Sequence, residues 1–592
     1  MSNYNHPYKD AEFILQHLVG FDQHCQQLGL EDINTDLADA ILTEAGKLAS
    51  DVLAPLNKTG DEQGATLTPE GVLQASGFAD AYQQFTESGW PSLTAPEVFG
   101  GQQLPQLLGT AVNEIWHSAN MAFALCPMLS QGAIEALTAH GSEALQQTYL
   151  PSLVSGEWTG TMNLTEPNAG SDLAAVSSRA VAEGDHYRIT GQKIFITWGD
   201  HQMTSNIVHL VLARLPEAPA GVKGISLFVV PKYLVNGDGS LGDLNDVGCV
   251  SLEHKLGIHA SPTCVLSFGD NGGAIGYLVG EANKGLGYMF TMMNSARQSV
   301  GLQGLAISER AYQQSVQYAQ ERTQGRRSDG SPKPIFEYPD VRRMLMLQKS
   351  ATEAMRCLAY VAAAEVDLAE RPGDEQDKHQ ARVDLFTPIV KGWMTELAQE
   401  LTSLNVQVHG GMGFIEETGA AQHYRDARIL TIYEGTSGIQ ALDLIGRKTL
   451  LDQGQAYQAL LDDMTVTARQ AETSNNPQLK KIGWQLLKAI DEAGSVLRWL
   501  LKDVAINSDQ AGASSYDFLM MSGYLCGGWL MAKSAVAAIQ QRDNGDADQP
   551  FLATKSCTVD FYFGHLMPRI SAHSQALAAS SESMMALTAD QL

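Results

Sequence analysis

Cysteine is scarce in this chain, with seven residues among 592. No two of them lie close enough along the sequence to suggest a zinc site or a redox dithiol. They stand at Cys25, Cys126, Cys249, Cys264, Cys357, Cys526 and Cys557. We therefore expect reduced cysteines with structural roles, and neither a metal centre nor a disulfide scaffold.

Positive charge and long apolar runs are also in short supply. The 39 Lys and Arg residues face 66 Asp and Glu residues, which gives a formal net charge of −27. Such a charge repels nucleic acid and anionic membrane surfaces, so we exclude both as main partners. No run approaches the roughly 20 apolar residues that cross a bilayer, and no integral membrane segment is expected. The first residues lack the pattern of a signal or transit peptide, which predicts a cytoplasmic protein.

What the chain does contain is core material with two kinds of periodicity. Hydrophobic residues make up 44% of the sequence, and 592 residues are enough for several domains. Apolar residues recur at helical spacing over about 11–141, over about 285–450, and again beyond 450. Between the first two regions lie short β-branched runs bounded by glycine, proline and charge, at 188–197, 206–213, 224–231 and 263–268.

The β-branched runs predict a small β-barrel or sandwich, because the long helical crossovers of a parallel sheet are missing between them. The predicted fold class is therefore α+β with several domains. We place an N-terminal helical domain at 1–159, a middle β domain at 160–282, a C-terminal helical domain at 283–450 and a helical C-terminal extension at 451–592.

The tetrad 433–436, Tyr-Glu-Gly-Thr, sets the Glu434 carboxylate beside small hydrogen-bonding neighbours in an otherwise apolar stretch. A glycine-dense loop at 407–414 precedes it. A carboxyl group withdrawn from water acquires a raised pKa, and it can then act as a general base near neutral pH. The alternative is a structural glutamate in a salt bridge with Arg425 or Arg428.

Several segments, in this order and spacing, resemble the acyl-CoA dehydrogenase family of flavoenzymes over about 8–448. They are the segments 162–172, 191–197, 285–287, 296–297, 321–322, 410–413 and 433–436. The match is specific because it is multiple. It implies an N-terminal helical domain, a middle β domain and a C-terminal four-helix bundle, to which this chain adds the helical extension.

The resemblance implies FAD-dependent α,β-dehydrogenation of an acyl-CoA thioester to the trans-2-enoyl-CoA. Glu434 would abstract the α-proton, and the β-hydride would pass to flavin N5. The backbone N–H of Glu434 and a ribityl hydroxyl would hold the thioester oxygen. No side chain accepts a hydride, so this chemistry requires a cofactor. Some relatives carry their glutamate immediately before the residue that stands here as Arg297; this chain has Ala296 there, which favours Glu434.

The same resemblance implies two sets of binding residues. The FAD-binding set is Met162, Leu164, Thr165, Ser171, Phe195, Ile196, Thr197, Arg322, Gln407, Gly411 and Thr436. The substrate-binding set is Ser171, Asn294, Arg297 and Gly435. The residues of the β domain could instead be plain barrel structure, and Arg297 could simply tie helices together. Arg322 is expected to reach the pyrophosphate of a neighbouring subunit, which implies at least a dimer.

Three positions depart from the pattern of relatives, and a fourth residue, His409, could be mistaken for a catalytic base. Gly325 lacks the aromatic residue that commonly precedes it, Gly438 stands where many relatives have glutamine, and Phe195 replaces a common tryptophan. The pyrophosphate contacts are therefore expected to differ, while Phe195 keeps an aromatic wall. His409, in the glycine loop, is expected to be structural and not catalytic.

The length and the tail resemble a longer bacterial branch that includes dehydrogenases of 3-(methylthio)propanoyl-CoA, which is the predicted substrate. Other long members oxidise straight-chain fatty acyl-CoAs, and the floor of the acyl pocket cannot be identified from sequence. The expected electron acceptor is electron-transferring flavoprotein. Two alternatives stay open: an acyl-CoA oxidase reoxidised by dioxygen, and a non-catalytic binding or assembly protein on the same fold.

Overall fold

The computed structural model describes residues 4–504, 507–545, 548–579 and 581–592. The chain forms two compact units, each built from separate stretches of sequence. The bundle unit comprises Met1–Glu44, Pro105–Glu114 and Arg297–Leu592, and the barrel unit comprises Ala45–Leu104 and Ile115–Ala296. The four domain boundaries drawn from the sequence stay a prediction.

The secondary structure follows the predicted order of helices, strands and helices. The α-helices are α1 Tyr8–Phe13, α2 Phe21–Leu28, α3 Thr35–Leu48, α4 Ala54–Gln63, α5 Phe78–Glu87, α6 Gln106–Ala119, α7 Met121–His140, α8 Glu143–Ser155, α9 Gly285–Glu321, α10 Pro339–Glu370, α11 Gln376–His409, α12 Ala420–Ala427, α13 Ser437–Leu442, α14 Gln455–Glu472, α15 Pro477–Trp499, α16 Ser508–Asp543, α17 Gln549–His565, α18 Arg569–Leu577 and α19 Ser581–Met585. The strands are β1 Thr66–Thr68, β2 Gly71–Leu73, β3 Trp158–Asn163, β4 Arg179–Glu183, β5 His186–Thr197, β6 Asn206–Arg214, β7 Ile225–Pro231, β8 Tyr233–Val235, β9 Leu241–Leu244, β10 Val247–Leu252, β11 Thr263–Phe268, β12 Ala274–Leu278, β13 Thr323–Arg326 and β14 Pro332–Pro334.

Five strands of the barrel unit close into a ring in the order β5, β12, β7, β6 and β4, because β4 pairs back with β5. Strands β11 and β10 extend this sheet from β5, and β3 joins β6 in parallel. The four β-branched runs coincide with β5, β6, β7 and β11 to within two residues at each end. The predicted small β-barrel is confirmed.

Strand β3 approaches helix α7 closely enough to require glycine. A Cβ added at Gly160 would lie 2.5 Å from the Cβ of Ala133, which is closer than two carbon atoms can pack. This contact positions the strand that carries Met162 and leads into the 162–172 segment.

The bundle unit is built on α10, α11, α13 and the part of α9 that begins at Arg297. The extension helix α16 packs against α10, α11 and α13. A Cβ at Gly523 of α16 would lie 2.0 Å from the Trp393 side chain of α11, so only glycine permits this approach. The predicted helical extension is therefore part of the same compact unit as the helices that it follows.

Helix α7 is long and apolar enough to cross a bilayer, and it is the only such helix found among the residues that the structure describes. Its most apolar window is 72% buried inside the protein. Burial of this kind is typical of a core helix, so length and composition alone are weak evidence for a membrane span.

Candidate active site

Glu434 lies in a short loop of the bundle unit, between a 3₁₀ turn at Arg428–Thr431 and helix α13. Its φ is 54° and that of Gly435 is 90°, so both residues occupy the left-handed region. A residue with a Cβ is uncommon there, and such strain concentrates at functional sites. Thr436 then caps α13, with Oγ1 accepting a hydrogen bond from the Ile439 N–H at 3.3 Å. The backbone thus presents Glu434 from a fixed, strained turn.

Two side chains hold the backbone carbonyls of this loop. Lys391 Nζ donates to the Gly435 carbonyl at 2.5 Å. Gln440 Nε2 donates to the same carbonyl at 3.2 Å and lies 3.4 Å from that of Glu434. A Cβ at Gly435 would lie 2.7 Å from Gln440 Nε2, so glycine is required for both its conformation and its space.

Two further contacts fix the residues that flank the loop. Ser437 Oγ donates to Glu396 Oε1 at 2.5 Å, and Tyr433 donates its hydroxyl hydrogen bond to Gln303. The second carboxylate oxygen of Glu396 accepts a hydrogen bond from Tyr516 of α16 at 3.3 Å. The extension therefore reaches the polar cluster beneath the loop.

Burial raises the pKa of Glu434 to about 7, although the charges of Arg297 and Lys391 oppose the shift. The two arginines considered as salt-bridge partners have other contacts. Arg425 pairs with Glu416 at 2.8 Å, and Arg428 Nη1 donates to Thr431 Oγ1 at 2.6 Å. A carboxyl group that titrates near neutral pH suits a general base better than a structural ion pair.

Phe195 of the barrel unit occupies a second strained position. Its φ is 60°, and the pairing of β5 with β11 shifts register between Lys193 and Ile196. This bulge leaves the Phe195 ring 58% exposed, an unusual exposure for an aromatic side chain in a strand. It turns Ile196 into the barrel core, where the residue is 2% exposed, so the structure does not support a ligand contact by its side chain. Thr197 is half-buried.

A buried ion pair joins strand β5 to the segment that follows β3. Lys193 Nζ donates to Glu166 Oε1 at 2.8 Å and to the Leu164 carbonyl at 3.1 Å. The carboxylate also accepts hydrogen bonds from the N–H and Oγ of both Ser177 and Ser178, at 2.6 to 3.1 Å. Burial opposes ionisation of Glu166, but Lys193 and these hydroxyl donors outweigh it and lower its pKa to about 2.

The remaining predicted residues are distributed over the two units. In the barrel unit, Met162 and Thr165 are half-buried, Leu164 is buried, and Ser171 and Asn294 are exposed.

In the bundle unit, Arg322, Gln407 and Gly411 are exposed, whereas Arg297 is buried. The structure brings Arg297 to the Glu434 loop, since its Nη2 lies 3.9 Å from the position that a Cβ at Gly435 would take. His409 Nδ1 donates to the Asn405 carbonyl at 2.8 Å, which fits the structural role expected for it.

Sequence reasoning missed Lys391, Gln440 and Glu396 at the loop, and the ion pair of Glu166 with Lys193 in the barrel. Lys391 lies 44 residues before the carbonyl that it binds, and Glu166 lies 27 residues from Lys193. No local motif links such partners. The sequence offered one signal, a lysine on an apolar face of a helix. Such a lysine indicates that a buried partner exists, but it does not identify that partner.

Comparison with known proteins identifies the family. The profile described as "Acyl-CoA dehydrogenase, N-terminal domain" matches 35–157, the "middle domain" profile matches 161–271, and the "C-terminal domain" profile matches 283–450. A fourth profile, "Acetyl-CoA dehydrogenase C-terminal like", matches 460–588.

Several curated relatives cover nearly the whole chain. The chain is 46% identical over 588 residues to 3-methylmercaptopropionyl-CoA dehydrogenase of Ruegeria pomeroyi, covering 98% of this chain and 99% of the relative. It is 32% identical over 611 residues to the broad-specificity linear acyl-CoA dehydrogenase FadE5 of Mycobacterium tuberculosis, covering 99% of both.

A solved structure has the same fold. The acyl-CoA dehydrogenase of Bacillus anthracis, complexed with FAD, superposes with a TM-score of 0.74 at 22% identity, covering 94% of this chain and 91% of that one. The profiles and the full-length relatives lead to one conclusion: the chain belongs to the acyl-CoA dehydrogenase family of oxidoreductases.

Proposed function

We propose that this chain dehydrogenates an acyl-CoA thioester between Cα and Cβ, with Glu434 as the general base and FAD as the cofactor. The observation that carries the proposal is the strained loop that holds a carboxyl group with a pKa of about 7. An α-proton of a thioester is weakly acidic, so the base must be able to ionise near neutral pH and stay poorly solvated.

The residues present fit FAD. The exposed Phe195 ring offers a flat apolar wall, and the bulge fixes its orientation. Arg322 presents a guanidinium, and Gly411 lacks a side chain that would block its backbone, as suits a pyrophosphate. When bound, FAD supplies the acceptor for the β-hydride.

The chain's own groups prepare the substrate for this transfer. Glu434 takes the α-proton, and its backbone N–H donates to the thioester oxygen, which acidifies that proton. Lys391 and Gln440 hold the carbonyls of the same loop, so the carboxylate and the N–H keep a constant separation. Thr165 and Thr197 are half-buried and are the proposed hydroxyl donors to the cofactor.

The proposed substrate is 3-(methylthio)propanoyl-CoA. Its support is the relative at 46% identity, named for the same compound, which spans the full chain. A straight-chain acyl-CoA is the second candidate, because FadE5 also matches over the full length. Electron-transferring flavoprotein in the cytoplasm is the proposed acceptor, and a homodimer is the proposed assembly.

A panel of acyl-CoA thioesters tests the substrate directly. Pentanoyl-CoA is the matched control, since it differs from the methylthio compound only by a methylene in place of sulfur. We expect the methylthio compound to bleach the flavin absorption fastest in anaerobic stopped flow. Faster bleaching by pentanoyl-CoA or longer chains would favour the straight-chain alternative, and no bleaching by any thioester would refute dehydrogenation.

The rate of flavin bleaching is expected to rise with pH. Only the ionised form of Glu434 accepts a proton, so the rate constant should increase about tenfold per pH unit well below the pKa of about 7 and level off above it. The measurement is the anaerobic bleaching rate from pH 5.5 to 9 at saturating thioester. A rate that falls with rising pH across this range would contradict the assignment of Glu434 as the base.

A further inference from the structure

Lys391 is a buried lysine at the Glu434 loop, and neither the sequence motifs nor its bond to a loop carbonyl explains why a charged side chain stands there. Its exposed fraction is 0%, and it projects from the middle of α11 within the bundle unit. A buried ammonium group is costly unless it is paired and hydrogen-bonded. Its hydrogen bond, at 2.5 Å, goes to the Gly435 carbonyl, directly after Glu434. Because a leucine would be buried here without this cost, we expect the charge or the hydrogen bond of Lys391 to have a function.

The charged groups that face Lys391 come from several elements. Burial lowers its pKa to about 8, although Glu434 of the loop and Glu396 of α11 raise it, and Arg297 of α9 adds to the lowering. Burial lowers the pKa of Arg297, and the charge of Asp443, which follows α13, opposes this shift. The ammonium group therefore lies among two carboxylates and one guanidinium, and the catalytic carboxylate is the first of the groups that stabilise its charge.

The geometry gives the Lys391 bond a specific consequence for Glu434. Residues 434 and 435 both have positive φ, and only Gly435 adopts that region without strain. A strained residue keeps its conformation when its neighbours over-determine it. The Gly435 carbonyl is held by Lys391 and by Gln440, so the peptide between Gly435 and Thr436, one residue after Glu434, is fixed from two sides.

We propose that Lys391 is a positioning residue, whose bond to Gly435 helps to hold Glu434 in its left-handed conformation and whose ammonium charge favours the ionised form of the Glu434 carboxylate. This inference rests on the proposed function, because it takes Glu434 as the base. A purely structural lysine would contribute to stability alone. A positioning lysine also changes the pH at which Glu434 becomes active.

Three substitutions separate the two contributions. Lys391→Met removes the charge and the donor, Lys391→Gln removes the charge but keeps a donor, and Lys391→Arg keeps both. Loss of a cation near a carboxylate should move the midpoint of the pH profile of flavin bleaching upward by about 1 pH unit in the Met and Gln variants. The Arg variant should keep the wild-type midpoint. The plateau rate of the Met variant should fall by up to about 10²-fold, because the loop loses its anchor.

Lys533→Met is the matched control, since Lys533 is a half-buried lysine of α16 whose pKa burial also lowers. It should keep the wild-type midpoint. Thermal unfolding and bound flavin are measured for every variant, and if the Met variant does not fold, the Gln and Arg variants decide. An unchanged midpoint in the Gln variant would overturn the proposal. Glu434→Gln, assayed in parallel, separates the two failures: if that variant stays active, the assignment of the base fails instead.

Discussion

Replacing Glu434 by glutamine should slow flavin bleaching by about 10²–10⁴-fold, the usual contribution of a general base. The amide is nearly isosteric with the carboxyl group, but it does not accept the α-proton. The backbone N–H and the loop anchors at Lys391 and Gln440 are unchanged, so thioester binding should persist. The measurement is the anaerobic bleaching rate, together with the dissociation constant of the thioester.

Two comparisons make this result specific to the carboxylate. Glu434→Asp keeps the acid but withdraws it by one methylene, so its rate should lie between those of the wild type and the Gln variant. Glu472→Gln changes a glutamate at the end of α14 that pairs with Arg469, and it should bleach at the wild-type rate. Near-normal turnover by Glu434→Gln would refute its role as the base.

Lys193→Met should destabilise the protein by about 3–5 kcal/mol, the usual cost of removing one partner from a buried ion pair. Lys193 is 0% exposed, and Glu166 would keep its serine donors but lose the ammonium group that lies 2.8 Å from its Oε1. The Leu164 carbonyl would lose a donor as well. Because Leu164 and Thr165 adjoin this pair, bound FAD should also decrease. Chemical denaturation and the flavin-to-protein absorbance ratio measure the two effects.

The double variant Glu166→Gln with Lys193→Met tests the cause. It removes both charges, so it should be less destabilised than the sum of the two single variants. Additive losses would show that the pair is not coupled. Wild-type stability of Lys193→Met alone would contradict the importance of the buried charge.

Much of the fold could be predicted from the sequence, because its signals are local. The β-branched runs located β5, β6, β7 and β11, since strand patterning is written in consecutive residues. Helical spacing likewise predicted the long helices of the bundle. The tetrad that contains Glu434 was recognisable for the same reason, and the structure adds a left-handed conformation and a raised pKa that support the proposed role as a base.

Most partners of these residues could not be predicted, because they are distant in sequence; Gln440, five residues after Gly435, is the local exception. Nothing near Glu434 points to Lys391 on α11 or to Tyr516 on α16. Alternation along a strand also fails at a bulge, and the bulge beside Phe195 determines that Ile196 faces the core. Such register shifts depend on the neighbouring strand, which the local sequence does not describe.

The contact of Gly523 with Trp393 makes helix α11 depend on the C-terminal extension for its burial. Truncation of the chain after α13 would remove α16 and expose to water the Trp393 side chain, which is 0% exposed in the full chain. The same truncation would take Tyr516 from Glu396.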